Sequence, residues 1–293
     1  MNDRKQHVIK MAHQLFVDKG FQATSIQDIL DYSGISKGTF YNYFSSKNEL
    51  LIAIFKEIYN ELEKERNKIL IGQDPSDIEL FIKQIELQLN TNKKNKLFNL
   101  FEEVLVSKDI ELKQFINEGQ LRMYHWIVQR FTEIFGTDKK PYLLDCALMF
   151  LGILSHMMKY YLVNHNTPSS VYKVVRYSVR RIENIVEELA ETNEQLTNPE
   201  LLEKLLQTNN ITETNFTERL SHTILILKKD IFQHQKSEKY MELLDFIENE
   251  LIHQNEPRKY LIELALSPLK EDKDAFEQKN VIELEQLISL YYS

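Results

Sequence analysis

Cysteine is almost missing from this sequence. Cys146 is the only one in 293 residues, so no disulfide closes within the chain and no multi-cysteine metal site can form. Glycine is also scarce: seven occur, and none lies beyond Gly152. Helical propensity should dominate beyond it, and no extended alternating apolar and polar runs bounded by glycine turns are apparent, so an all-α fold is expected. There is no basic segment leading into an apolar run at the N-terminus, so no signal peptide is read and a cytoplasmic protein is expected. The longest apolar stretch, 142–163, contains Asp145, His156 and Lys159, which are costly in hydrocarbon; it is predicted to be a buried helix with no membrane partner. His-Glu-x-x-His, a Gly-rich phosphate loop, a Gly-x-Ser-x-Gly elbow and a carboxylate-rich calcium loop are all absent, so neither catalysis, a cofactor nor a metal is expected.

What is present is an ordinary globular balance, 43% hydrophobic and 27% charged, in a chain long enough for two or three packed units. The net charge of -8 is uneven. Residues 1–50 carry six Lys/Arg against five Asp/Glu, residues 51–191 nineteen against twenty, and residues 192–293 eleven against nineteen. The acidic excess therefore belongs to the last third, and global acidity does not argue against nucleic acid at the N-terminus.

Apolar spacing predicts a first helix over 3–18 closed by Gly20, with Val8, Met11, Ala12, Leu15 and Phe16 on one face. Thr24 and Gln27 fit the capping box of a two-turn second helix, Ser36 caps a third through Phe44, and Ser45 or Ser46 caps a fourth bearing Leu51, Ile54, Phe55, Ile58 and Leu62. Asp74 and Pro75 read as the start of a further helix, Pro141 as the start of the apolar one, and Pro168 as the start of a seam of Val171, Val174, Ser178, Ile182, Ile185 and Leu189. Helices near 199–208, 214–235, 237–254, 257–266 and 279–292 complete the chain.

The segment "SGISKGTFYNYFSSKNELL", residues 33–51, carries the chemistry. At about 100° per residue Phe40 and Phe44 point to the core, which leaves Gly38, Thr39 and Asn42 outward with Lys37 and Tyr41 on one flank and Tyr43 on the other. That face has no bulky aliphatic group. Asn and Thr can read base edges, while Tyr and Lys reach phosphates. Free N–H groups at "SSKNE", together with Lys47, suit an anion. Two short helices around "YSGIS", the second with such a face, form a helix-turn-helix. An αα corner that merely packs a bundle is the bland alternative, and it requires the whole face to be polar by accident.

Residues 4–62 resemble the DNA-binding domain of the TetR family of bacterial transcriptional regulators. "GISKGTFYNYFSSKNELL" follows that family's recognition pattern, and "LFVDKGFQATSIQDIL" its helix end, Gly-Phe turn and second helix. The resemblance implies a three-helix DNA-binding domain over 1–62, a helical-bundle ligand-binding and dimerisation domain over 63–191, and an additional acidic helical extension over 192–293. It implies a homodimer acting as a repressor released from a palindromic operator by a small molecule; the sequence departs from the family's pattern at position 42, which is Asn where His is common. Carried over by position, Lys37, Gly38, Thr39 and Asn42 would meet bases or nearby backbone, and Tyr41, Tyr43, Lys47, Ser25 and Gln27 would hold phosphates.

Beyond that domain the residues say less. Asp145, Gly152, His156 and Lys159 form one helical stripe, either a dimer contact or an exposed polar face. Tyr124, His125, Trp126, Tyr160, Tyr161, Glu102 and Glu103 could line a cavity for an organic cation or simply be core aromatics and solvated carboxylates, so no ligand residue is assigned. The rival to a regulator is a helical adaptor without specific DNA binding, dominated by its acidic tail.

Overall fold

The computed structural model describes residues 3–292 apart from 107–108, 165–167, 209–211, 233 and 255–256. The described residues contain helices and no strand. The first four helices are α1 (Asp3–Lys19), α2 (Ile26–Ser33), α3 (Lys37–Tyr43) and α4 (Lys47–Leu70). Then come α5 (Ile78–Lys94), α6 (Leu97–Val106), α7 (Ile110–Phe135), a 3-10 turn (Thr137–Tyr142), α8 (Leu143–Asn164), α9 (Pro168–Thr192) and α10 (Pro199–Thr208). The last four are α11 (Thr212–Asp230), α12 (Ser237–His253), α13 (Lys259–Glu271) and α14 (Gln278–Tyr291).

Three predicted starts move, each for a local reason. The capping box of α2 uses Ser25 and Asp28, one residue beyond the expected Thr24 and Gln27. Thr24 is buried, and its hydroxyl donates to the Gly20 carbonyl at 2.7 Å. Asp74 and Pro75 form a turn, with Asp74 accepting the Ser76 amide at 2.9 Å, and Asp77 instead caps α5 by accepting the Glu79 amide at 2.8 Å. Pro141 lies inside the 3-10 turn, so α8 opens at Leu143. Ser36 and Ser46 cap α3 and α4, accepting from the amides of Thr39 and Glu49.

The contacts divide the chain into two compact units, Asp3–Asn209 and Asn210–Ser293. The first contains two cores. One joins Val8, Phe16, Ile29, Phe40, Phe44 and Phe55 of the N-terminal helices, and it continues into α6 through Leu97, Leu100 and Val104. The other gathers Phe81, Phe131, Phe150, Val175 and Ile182 from α5, α7, α8 and α9.

The segment Thr137–Tyr161 is long and apolar enough to cross a membrane by length and composition. In the fold Leu143, Cys146, Ala147, Phe150 and Leu154 face the second core, whereas Met149, Met157 and Tyr160 are exposed, so the expected buried helix is buried on one face only. Asp145 also leaves its expected polar stripe. It is buried and accepts the amides of Leu196 and Thr197 at 2.8 and 3.0 Å and the Thr197 hydroxyl at 2.6 Å, which fastens the loop before α10 onto α8.

The second unit packs α11–α14 around Leu220, Leu227, Leu244, Ile247, Ile262 and Leu284. Its charges close on each other. Lys228 is buried against Asp245 at 2.7 Å and Glu248 at 3.1 Å, buried Glu250 pairs with Arg258, and Asp272 accepts from Tyr240 at 2.5 Å and Lys236 at 3.0 Å.

Candidate nucleic-acid interface

The interface is built on two aromatic anchors. Phe40 and Phe44 lie one turn apart, almost wholly buried with ring centroids 5.9 Å apart, and they fix the rotation of α3 about its axis. With that rotation set, Lys37, Gly38, Tyr41 and Asn42 are exposed and Thr39 is half-buried. The Ser36 hydroxyl accepts the Thr39 amide at 3.1 Å and lies 2.9 Å from the Thr39 hydroxyl, which orients the first turn. Tyr41 packs edge-on against Phe40 and keeps 47% of its surface exposed. Tyr43, half-buried, stands edge-on to Phe44.

Gly38 is informative because nothing inside the protein requires a glycine there. Its φ is not positive, and a β-carbon placed on it would meet only the Ser36 Oγ, at an ordinary 3.8 Å. A glycine in a helix interior costs roughly 1 kcal/mol relative to alanine. Internal packing therefore does not account for it, and it leaves a smooth patch on an exposed face. Gly34 is a different case: φ +68 in the left-handed region makes the turn between α2 and α3.

The flanking residues are more constrained. The Ser25 hydroxyl accepts the Asp28 amide at 3.1 Å and donates to the Asp28 carboxylate, and the Gln27 amide donates to Asp31 at 2.7 Å on the exposed side of α2. The Lys19 ammonium at 2.7 Å, followed by the Ser25 hydroxyl and amide, holds the Asp28 carboxyl well below the usual carboxylate range. Lys47 does not extend outward with the others. Its ammonium donates to the carbonyls of Phe21 at 2.8 Å and Thr24 at 2.7 Å and sits 4.4 Å from the centre of the Phe21 ring. Burial lowers its pKa, against the opposing pull of Glu103 and Asp28. The face therefore unites Lys37, Gly38, Thr39, Tyr41 and Asn42, with Tyr43, Ser25 and Gln27 around it, while Lys47 locks the turn between α1 and α2 onto the start of α4.

Sequence reasoning missed the residues that tie this region to the helices beyond it. Glu103 of α6 accepts the Gln22 amide at 2.8 Å, Lys96 donates to the Val17 carbonyl at 3.3 Å, the His13 ring nitrogen lies 3.4 Å from the Asn95 carbonyl, and Asn48 donates to Asp109 at 2.5 Å. These partners are 61 to 82 residues apart, and no local spacing signals them.

Comparison with known proteins finds helix-turn-helix regulators among those similar to this chain. Residues 8–54 match the family model described as bacterial regulatory proteins, tetR family. Over 195 residues the chain is 28% identical to the uncharacterized HTH-type transcriptional regulator YerO of Bacillus subtilis, covering 65% of this chain and 67% of that protein. Shorter matches include the Transposon Tn10 TetC protein of Escherichia coli, 42% identical over 52 residues (18% of this chain, 26% of that one). The HTH-type transcriptional repressor DhaR of Mycobacterium sp. is 30% identical over 60 residues, 20% of this chain and 30% of that one. No solved structure matches at a comparable level.

Proposed function

The chain belongs to the TetR family of bacterial transcriptional regulators, and from that premise we propose that it is a cytoplasmic homodimeric repressor, released from a palindromic operator by a small molecule. The observation that carries the reading is the outer face of α3, where an amide, a hydroxyl, a lysine and a phenol surround a glycine that internal packing does not need. Lys37, Gly38, Thr39 and Asn42 meet base edges and nearby backbone in the major groove. Tyr41 and Tyr43 hold phosphates, Ser25 and Gln27 do so from α2, and Lys47 contributes through the turn that it locks. Repression is the role in the name of the Mycobacterium relative.

In this reading residues 1–62 bind DNA, residues 63–191 sense the ligand and dimerise, and residues 192–293 are an extension. The exposed Met149, Met157 and Tyr160 of α8, with Tyr172 and Tyr177 of α9, support a face for the second copy. The contacts of Glu103, Lys96, Asn95 and Asp109 with the N-terminal helices support a route by which a shift of α6 reaches α3.

The test is fluorescence-anisotropy binding to duplexes from around the protein's own coding region at about 150 mM salt with excess competitor, because nonspecific contacts weaken steeply with salt. Wild type binds one site specifically and Tyr41→Ala loses that binding. If a random-duplex selection also returns no preferred site, the helical adaptor replaces the regulator.

A further inference from the structure

A groove of about 560 Å³ opens between α1, α4 and α5, away from the outer face of α3. We propose that it binds an amphipathic organic cation. Its volume falls within the range of small-molecule sites, roughly 300–1,000 Å³. Ile9, Ile54, Ile58, Leu62 and Leu87 supply apolar lining. Along α4 the groove is edged by Glu57, Glu61 and Glu65, spaced by four residues and so about 6 Å apart along one face.

The negative charge of this row is incompletely answered from within the chain. Glu65 pairs with Lys68 at 2.6 Å, but neither Glu57 nor Glu61 forms an ion pair with a described residue. The Gln6 amide, with its nitrogen facing the carboxylate, donates to Glu57 at 2.8 and 3.0 Å, which supplies a neutral partner and no charge. Partial desolvation beside the groove, and then repulsion from Glu61, raise the Glu57 carboxyl above its ordinary value although the residue stays exposed at the groove's rim. Asp3 adds a fourth carboxylate to the lining, against two lysines, Lys10 and Lys94.

A metal ion does not fit. Among the described residues no three carboxylate, imidazole or thiol groups converge on one point. A row of carboxylates beside an apolar wall instead suits an ammonium group on a hydrocarbon body. Such a ligand would touch both α1, which belongs to the DNA-binding helices, and α5, which does not, at the joint that the His13 and Asn95 contact closes. The inference stands apart from repression, since binding is measured without DNA.

Calorimetric titration of the full-length protein with octylammonium, octanol and octanoate tests it. Octylammonium is expected to bind at least tenfold more tightly than either isostere, a difference of about 1.4 kcal/mol. The double variant Glu57→Gln/Glu61→Gln, whose changes sit at the exposed rim, is expected to lose about tenfold in octylammonium affinity and none of its thermal stability. Leu87→Trp, which fills the apolar side and leaves every carboxylate in place, is expected to lose a similar factor. Equal binding of octylammonium and octanol, or a loss of affinity absent from either folded variant, overturns the site.

Discussion

Helix α3 and the C-terminal unit both lay amphipathic helix over an apolar core, yet the outer face of α3 and the helices of that unit treat their polar residues in opposite ways. In the C-terminal unit charges close on one another: Lys228 on Asp245 and Glu248, Arg258 on Glu250, and Lys236 and Tyr240 on Asp272. On α3 the polar groups of Lys37, Tyr41 and Asn42 face outward from a helix whose rotation is already fixed by Phe40 and Phe44. The contrast teaches where to look for recognition. Polar side chains engaged in internal pairs hold a fold together, whereas those held outward on a rigid frame are available to a partner.

The comparison is tested most severely through the cores. Phe40→Ala should cost about 3–5 kcal/mol and abolish DNA binding with the N-terminal fold, while Leu244→Ala should cost about 2–5 kcal/mol and leave DNA affinity intact. Hydrogen exchange resolved by peptide, beside anisotropy, distinguishes the two; loss of DNA binding in Leu244→Ala would show that the extension is not independent of the reading helices.

Next in size, Asn42→Ala should remove about 1–3 kcal/mol of discrimination at one base pair while leaving the melting temperature unchanged. Binding to a panel of single-base operator variants checks this, and uniform weakening across the panel would move Asn42 from reading bases to holding backbone.

Gly38→Ala sharpens the distinction between folding and recognition in a single residue. The added methyl meets nothing closer than 3.8 Å, so the helix should gain up to about 1 kcal/mol while DNA affinity falls. Thermal melts and anisotropy on the same sample give both signs. A variant that is more stable and binds equally well would remove the close-approach argument.

The smallest effect is expected from acid. Hydrogen bonds from Tyr240 and then Lys236 lower the Asp272 carboxyl from 3.8 to about 2. A depressed carboxylate stabilises the fold above its unfolded pKa, and that contribution disappears as pH falls through the folded value. The C-terminal unit should therefore lose stability between about pH 4 and pH 2, with a shallower slope in Asp272→Asn. Peptide-resolved exchange at several pH values reads the slope, and identical slopes in wild type and variant would discount the pair.

Much of the molecule was legible in its order of residues. The scarcity of glycine and the 3.6-residue apolar period determined an all-α chain, and Phe40 and Phe44 at a four-residue spacing determined which side of α3 faces outward, because both are properties of a single helix. Even the misplaced α2 cap was a local matter, decided by Ser25 standing three residues before Asp28. Tertiary structure alone decided the rest. Lys47 reads as an outward anchor until the carbonyls of Phe21 and Thr24 capture it, Asp145 reads as part of a surface stripe until the loop at 196–197 folds over it, and α6 joins the first core although residues 63–96 separate it from the DNA-binding helices. Each of these depends on groups brought together from distant parts of the chain, and helical periodicity reports only which face a residue occupies, not what will come to cover it.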